Sequence, residues 1–155
     1  MWSIFTASYL NQRGIRHACI SPGARNSPLT YAFTEKSEIT CSSHVDERSS
    51  SFFALGLAKS TQNPVVLIST SGTAPANFYP AVIEASLSQV PLIILSADRP
   101  DFLVSTGANQ TINQQNLYGI YVRYFADVGL PNNNLDQLQK ILEKTIQHSS
   151  GMKFE

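Results

Sequence analysis

The sequence predicts a three-layer α/β/α domain with a mainly parallel central sheet. Three observations lead there. Strand-like and helix-like patterns alternate along the chain. Two runs, "PVVLIST" (64–70) and "PLIILSA" (91–97), are apolar almost throughout, as strands covered on both faces are. Turn and capping residues (Gly, Pro, Ser, Asp) stand between each strand pattern and the helix pattern after it. Such alternation calls for right-handed crossovers and helices on both faces of a parallel sheet. With 155 residues, 1–155 forms one domain, long enough to bury a core.

In chain order, Trp2, Phe5, Tyr9 and Leu10 share helical spacing, and Gly14 stops that helix. "IRHACI" (15–20) reads as a strand. Ser27 then stands as an N-cap with Pro28 at the first helical position, opening "LTYAFTEK". "EITCSSHV" (38–45) is a second strand, and Asp46 caps a helix that keeps Phe52, Leu55 and Ala58 in phase. After 64–70 comes a small-residue turn and another helix, which Pro80 must bend or restart. Residues 98–115 are polar, without period, and read as loop. "VRYFADVGL" (122–130) adds a further strand candidate. The strongest amphipathic helix is 134–150, with Leu135, Leu138, Ile141, Leu142 and Ile146 on one side.

Composition removes several function classes. Net charge is zero and no basic run exists, so strong nucleic-acid binding is excluded, because phosphate neutralisation needs clustered Lys and Arg. No stretch reaches the ~18 consecutive apolar residues of a membrane span. The first residues lack a basic segment ahead of an apolar core, and read as amphipathic helix, not signal peptide. Two cysteines make no disulfide framework, which points to a reducing cytoplasm. Charged residues are only 14%, against roughly a quarter in an average domain, which suggests a surface partly covered by a partner.

Ligands of parallel α/β sheets meet the carboxyl ends of the strands. The predicted exits are 21–25, 44–47, 70–73 and 98–100. They carry Arg25, Glu47, the turn "TSGTAPAN" and Arg99. Two guanidinium groups on one edge form a clamp for carboxylates or phosphate, or else are two solvated loop arginines, or partners for Asp98 and Asp46. Glu47 falls in the first turn of a helix, where the dipole favours its charge; the plain alternative is an ion pair with Arg48. In "TSGTAPAN" the backbone N–H groups of a Gly-rich turn can receive an anion, or simply let another backbone approach. The turn lacks a P-loop lysine and the G-x-S-x-G of a nucleophile elbow. Asn109 and Gln110 offer both donors and acceptors to a polar ligand, or belong to a solvated loop. His17, Cys19, Cys41 and His44 form a weak zinc constellation; as strand residues they fit plain core better.

Taken together, "SPGARNSPLT", "HVDERSSSFFALGLAKS", "TSGTAPANFYPAVIEA", "PLIILSADRP" and "GANQTINQQNLYG" resemble one family. It is the N-terminal, pyrimidine-binding domain of the 2-succinyl-5-enolpyruvyl-6-hydroxy-3-cyclohexene-1-carboxylate synthases (MenD), thiamine-diphosphate enzymes of menaquinone biosynthesis. The specific motifs run from the first helix to about residue 117. The resemblance implies decarboxylation of 2-oxoglutarate and addition of the resulting carbanion to isochorismate. It implies that Glu47 contacts N1′ of the cofactor's aminopyrimidine and favours its imino tautomer. Gly72, Thr73 and Asn77 are then further cofactor contacts, and Arg25, Arg99, Asn109 and Gln110 line the substrate pocket. Many family members have serine where this chain has Ala24, so one hydroxyl contact is lost. The family holds Mg2+ or Mn2+ through a G-D-G motif that this sequence lacks. The chain is therefore expected to be a piece of a longer homodimeric or homotetrameric enzyme, and inactive alone.

Three other readings compete. A pyruvate-type decarboxylase or acetolactate synthase shares the cofactor, and "SPGARNSPLT" with "ADRP" argues against it. A flavodoxin-like assembly module would leave Glu47 without a role. A Rossmann domain would show G-x-G-x-x-G after the first strand, and none follows.

Overall fold

The computed structural model describes residues 1–149. Its central sheet has four strands in the order β2-β1-β3-β4: β1 His17–Ile20, β2 Thr40–Ser43, β3 Val65–Ser69 and β4 Leu92–Ser96. Every pairing is parallel, with Ile20 beside both Ser43 and Ile68, and Ser69 beside Ser96. The helices are α1 Trp2–Gln12, α2 Ser27–Glu35, α3 Glu47–Thr61, α4 Thr73–Ala76, α5 Tyr79–Leu87 and α6 Leu135–Ser149. The predicted three-layer architecture is present.

Strand alternation divides the core. Ala18, Ile20, Val66, Ile68 and Ile93 point to one side, where Ala7 and Leu10 of α1 and Ala32 and Phe33 of α2 cover them. Cys19, Val65 and Leu67 point to the other, against Ala54, Leu55 and Ala58 of α3 and Val82 and Ala85 of α5. β3 is buried at all five positions because it lies between two strands and two helical layers. β4, equally apolar in sequence, is buried only at Ile93, because it is an edge strand among the described residues. α1 serves two surfaces: Leu10 faces the sheet, whereas Trp2, Phe5 and Tyr9 pack on Leu138 and Leu142 of α6.

Local signals explain most boundaries. Gly14, at φ +90°, follows the end of α1. Asp46 caps α3, its carboxylate accepting from the N–H groups of Arg48 and Ser49. The chain breaks between α4 and α5, and Pro80 sits at the start of α5, so proline restarts the helix. α2 begins one residue earlier than its Ser-Pro signal: Asn26 occupies the N-cap position without a side-chain cap bond. The strand expected over 122–130 does not form. There Asp127 accepts from the Gly129 N–H, Gly129 takes φ +66°, and Tyr124 stacks on His148, so a local turn and a helix contact stand in place of strand pairing. The loop reading of 98–115 holds, with one 3-10 turn at Asp101–Leu103. Ser150, the last residue of the predicted final helix, lies outside the described residues. No helix among them is long and apolar enough to cross a membrane.

Candidate cofactor and substrate site at the sheet rim

Because all four strands run the same way, all four exits lie along one edge of the sheet. Each ladder continues one residue past its strand. Ser21 N–H donates to Ile68 O (2.9 Å), His44 N–H to Ile20 O (2.9 Å) and Ala97 N–H to Ser69 O (3.0 Å). The turns therefore leave the rim from fixed positions.

The β1 exit is a tied turn. Buried Asn26 donates through Nδ2 to Ser21 O (2.9 Å), and Ser27 Oγ donates to Ala24 O (2.9 Å). Gly23 passes over Thr70 so closely that a Cβ there would stand 2.6 Å from Thr70 Cβ. Only glycine fits that crossing. Arg25 is thereby held exposed, and among the described residues it has no hydrogen bond or ion pair. It is not the partner of Asp46.

The β2 exit separates two acids by function. Arg48 folds back on Asp46, Nη2 to Oδ2 2.7 Å. The Arg48 side-chain hydrogen bond, helped by the Ser49 N–H, lowers the Asp46 carboxyl to about 2. Glu47, half-buried in the first turn of α3, has no hydrogen bond or ion pair among the described residues. The alternative of a Glu47–Arg48 ion pair is not realised, because the Arg48 guanidinium is already bonded to the Asp46 carboxylate.

The β3 and β4 exits are joined by the loop between them. Ser71 Oγ donates to Gln110 O (2.8 Å), and Gln110 adopts φ +53°. Gly72 takes φ +80°, and a Cβ on it would lie 2.9 Å from Gln110 Cα. Of the two readings of the Gly-rich turn, close backbone approach is the one realised. The Gly72 N–H already donates to Gln114 Oε1 (2.8 Å), so it is no free anion donor. Thr73 and Asn77 are exposed on α4 and its end. Arg99 Nη2 donates to Asn109 O (2.9 Å), and its Nε is buried without a partner. Its backbone N–H, not its guanidinium, meets Asp98. Burial raises the Asp98 carboxyl above the ordinary range; the Arg99 N–H opposes that, and the charges of Asp127 and Asp101 add to it. The side chains of Asn109 and Gln110 are exposed, while their carbonyls anchor the loop.

Sequence reading missed Gln114, which is 7% exposed and bonded on both ends of its amide. Nothing in "NQTINQQN" distinguishes it from its neighbours. Tyr118 was also unremarked: its hydroxyl donates to Pro75 O (2.8 Å), and burial pushes its ionisation far up. Cys19 and Cys41 sit on opposite faces of the sheet, which removes the zinc constellation. No group of three His, Cys, Asp or Glu among the described residues is placed to hold a metal.

The rim thus offers one unpartnered carboxylate, one free guanidinium and a second guanidinium with an unsatisfied Nε. Beneath them the buried hydroxyls of Ser21, Ser69 and Thr70 lack hydrogen-bond partners. Unsatisfied buried polar atoms are uncommon and mark places where a polar ligand or water completes the structure. These groups can hydrogen-bond to a polar ligand. They do not fit a divalent metal.

Comparison with known proteins agrees with this geometry. A family model described as "Thiamine pyrophosphate enzyme, N-terminal TPP binding domain" matches residues 4–117. A relative from Haloarcula marismortui is 50% identical over 131 residues, covering 84% of this chain and 22% of the relative. One from Listeria innocua is 52% identical over 130 residues, with the same coverage. One from Microcystis aeruginosa is 48% identical over 149 residues, covering 96% of this chain and 26% of the relative. Each is named 2-succinyl-5-enolpyruvyl-6-hydroxy-3-cyclohexene-1-carboxylate synthase. The chain spans about a quarter of the length of these relatives. The match covers the four strands, their exits and the 98–115 loop, and on that ground the chain belongs to the N-terminal binding-domain family of the thiamine pyrophosphate enzymes.

Proposed function

We propose that this chain is the pyrimidine-binding part of a thiamine-diphosphate-dependent transferase. The complete enzyme decarboxylates 2-oxoglutarate and adds the carbanion to isochorismate, giving 2-succinyl-5-enolpyruvyl-6-hydroxy-3-cyclohexene-1-carboxylate for menaquinone biosynthesis in the cytoplasm. The observation that carries this reading is the unpartnered Glu47 carboxylate on the first turn of a capped helix, at the ligand-binding edge of the sheet.

Thiamine diphosphate, when bound, supplies the electron sink that stabilises the carbanion. Glu47 holds a proton between its carboxylate and N1′ of the aminopyrimidine. A shared proton needs a carboxylate that is not already neutralised, and the Asp46–Arg48 pair keeps the neighbouring guanidinium away. Gly72, Thr73 and Asn77 shape the turn beside the ring, Gly72 by close packing and the other two by exposed polar groups. The exits of β1 and β4 are two strand spacings apart, roughly 10 Å. Arg25 and Arg99 can therefore engage different carboxylates of the substrates, and the exposed Asn109 and Gln110 amides add polar groups to the same rim. Mg2+ or Mn2+ is held by the part of the enzyme outside this chain, and the 155-residue chain alone is inactive. Val45 and Phe53, 97% and 51% exposed just before and within α3, supply apolar surface for a second subunit of a homodimer or homotetramer.

The test is carboligation by the complete enzyme with thiamine diphosphate and Mg2+. Turnover of 2-oxoglutarate with isochorismate is expected. Preference for pyruvate would assign the chain to another carboligase, and full activity of Glu47→Gln would reduce it to an assembly module.

A further inference from the structure

One set of contacts on the rim forms a closed circuit. From Arg99, Nη2 reaches Asn109 O; the next residue, Gln110, accepts from Ser71 Oγ through its carbonyl. Gly72 follows Ser71 and donates its N–H to Gln114 Oε1 (2.8 Å). Gln114 Nε2 donates to Ala97 O (3.1 Å), two residues before Arg99. A weaker bond of 3.5 Å from the same nitrogen reaches Ser96 Oγ. One buried side-chain amide thus ties the β3 exit to the β4 exit and draws the loop that carries Asn109 and Gln110 against both.

From this circuit we infer that Gln114 is a positioning residue that sets the orientation of Arg99, Asn109 and Gln110 toward the substrate carboxylates. This rests on the substrate reading above. The chemistry requires an amide. Gly72 needs an acceptor and Ala97 O needs a donor, and the Gln114 amide carries both on one planar group. A buried group bonded at both ends has one preferred orientation, because turning it would leave a buried N–H and a part-buried carbonyl unsatisfied. The loop has little else to hold it. Residues 104–111 have no regular structure, Gly107 stands at φ +78° in open space, and Asn109 and Gln110 are exposed. Gln114 is set back from the rim and buried, so it acts through the residues it holds and does not touch substrate.

The experiment uses Gln114→Glu and Ser71→Ala in the complete enzyme. Glu sets a carboxylate against Ala97 O, and the repulsion between the two oxygens should push the side chain off both Ala97 and Gly72. Ser71→Ala removes only the bond to Gln110 and is the milder change if the first variant folds poorly. The expected result is a KM for the dicarboxylate substrates raised about tenfold, the scale of one lost positioning hydrogen bond, with kcat at saturation within about threefold. Affinity for thiamine diphosphate stays as in the wild type. Amide exchange at Gly72, slow in the wild type, becomes fast in Gln114→Glu. Unchanged KM in both variants, or a kcat loss that tracks lost cofactor affinity, overturns the inference. A wild-type enzyme inactive on both substrates overturns the proposed function instead, and Gly72 exchange then still decides whether Gln114 ties the two exits: slow exchange lost in Gln114→Glu retains that tie, and unchanged exchange removes it.

Discussion

Arg48 closes on Asp46, Nη2 to Oδ2 2.7 Å, and leaves the residue between them, Glu47, without a partner among the described residues. Three consecutive residues thus divide into a cap, a candidate reactive acid and a guard. The carboxylate nearest the arginine is already engaged in capping α3, so the arginine neutralises the acid that has a structural task. Glu47→Gln in the complete enzyme should lower kcat by ~100-fold or more, the scale of a lost proton-transfer group, while folding is retained. Steady-state rates with circular dichroism as the folding check would measure this.

Arg25 stands exposed on a turn whose own bonds do not involve it. Arg25→Ala should therefore leave the melting temperature nearly unchanged. In the complete enzyme it should cost ~2 to 3 kcal/mol in kcat/KM for isochorismate, the scale of a lost charged hydrogen bond. Kinetics equal to the wild type would remove Arg25 from the site.

The Asp46 cap has a pH signature. Its folded carboxyl lies at about 2, below the ordinary 3.8, so its contribution is fully present above about pH 4 and is lost as pH falls toward 2. Asp46→Asn keeps a capping oxygen without the charge. The melting-temperature gap between wild type and Asp46→Asn should narrow as pH falls from 5 to 2. A gap independent of pH would show that the charge contributes nothing.

Gly72 and Gly107 allow a controlled comparison. Both have positive φ, +80° and +78°, but a Cβ meets the Gln110 backbone at 2.9 Å only at Gly72. Gly107→Ala should cost ~1 kcal/mol from backbone conformation alone. Gly72→Ala should cost ~1 to 3 kcal/mol more, because the overpacked backbone has to move. Urea unfolding of the two variants measures the difference; equal costs would mean that the loop does not press on the turn.

Much of the fold is legible in the chain because its signals are local. The apolar runs around Val65 and Leu92, the Asp46 cap and Pro80 each act within a few residues, and each element formed where they indicated. The failed strand at 122–130 had the right residue types. It lost to a turn set by Asp127 and Gly129, and its Tyr124 stacks on His148, which is remote in sequence. The burial of β4 was overestimated for a related reason. Apolar character states a preference, but the position of a strand in the sheet order decides how much of it is covered.

From composition and spacing alone come the parallel α/β architecture and the gathering of Arg25, Glu47, the Gly72 turn and Arg99 on one edge, since strand direction follows from helical crossovers. Tertiary structure alone decided which of these groups are free. Arg48 follows both Asp46 and Glu47 within two residues in sequence, and only folded geometry selects between them. Gln114 is one amide among several in a polar loop until the fold brings Gly72 and Ala97 to its two ends. Hydrogen bonds are directional and short, so a partner remote in sequence cannot be read from residue type; hydrophobic periodicity is neither, and can.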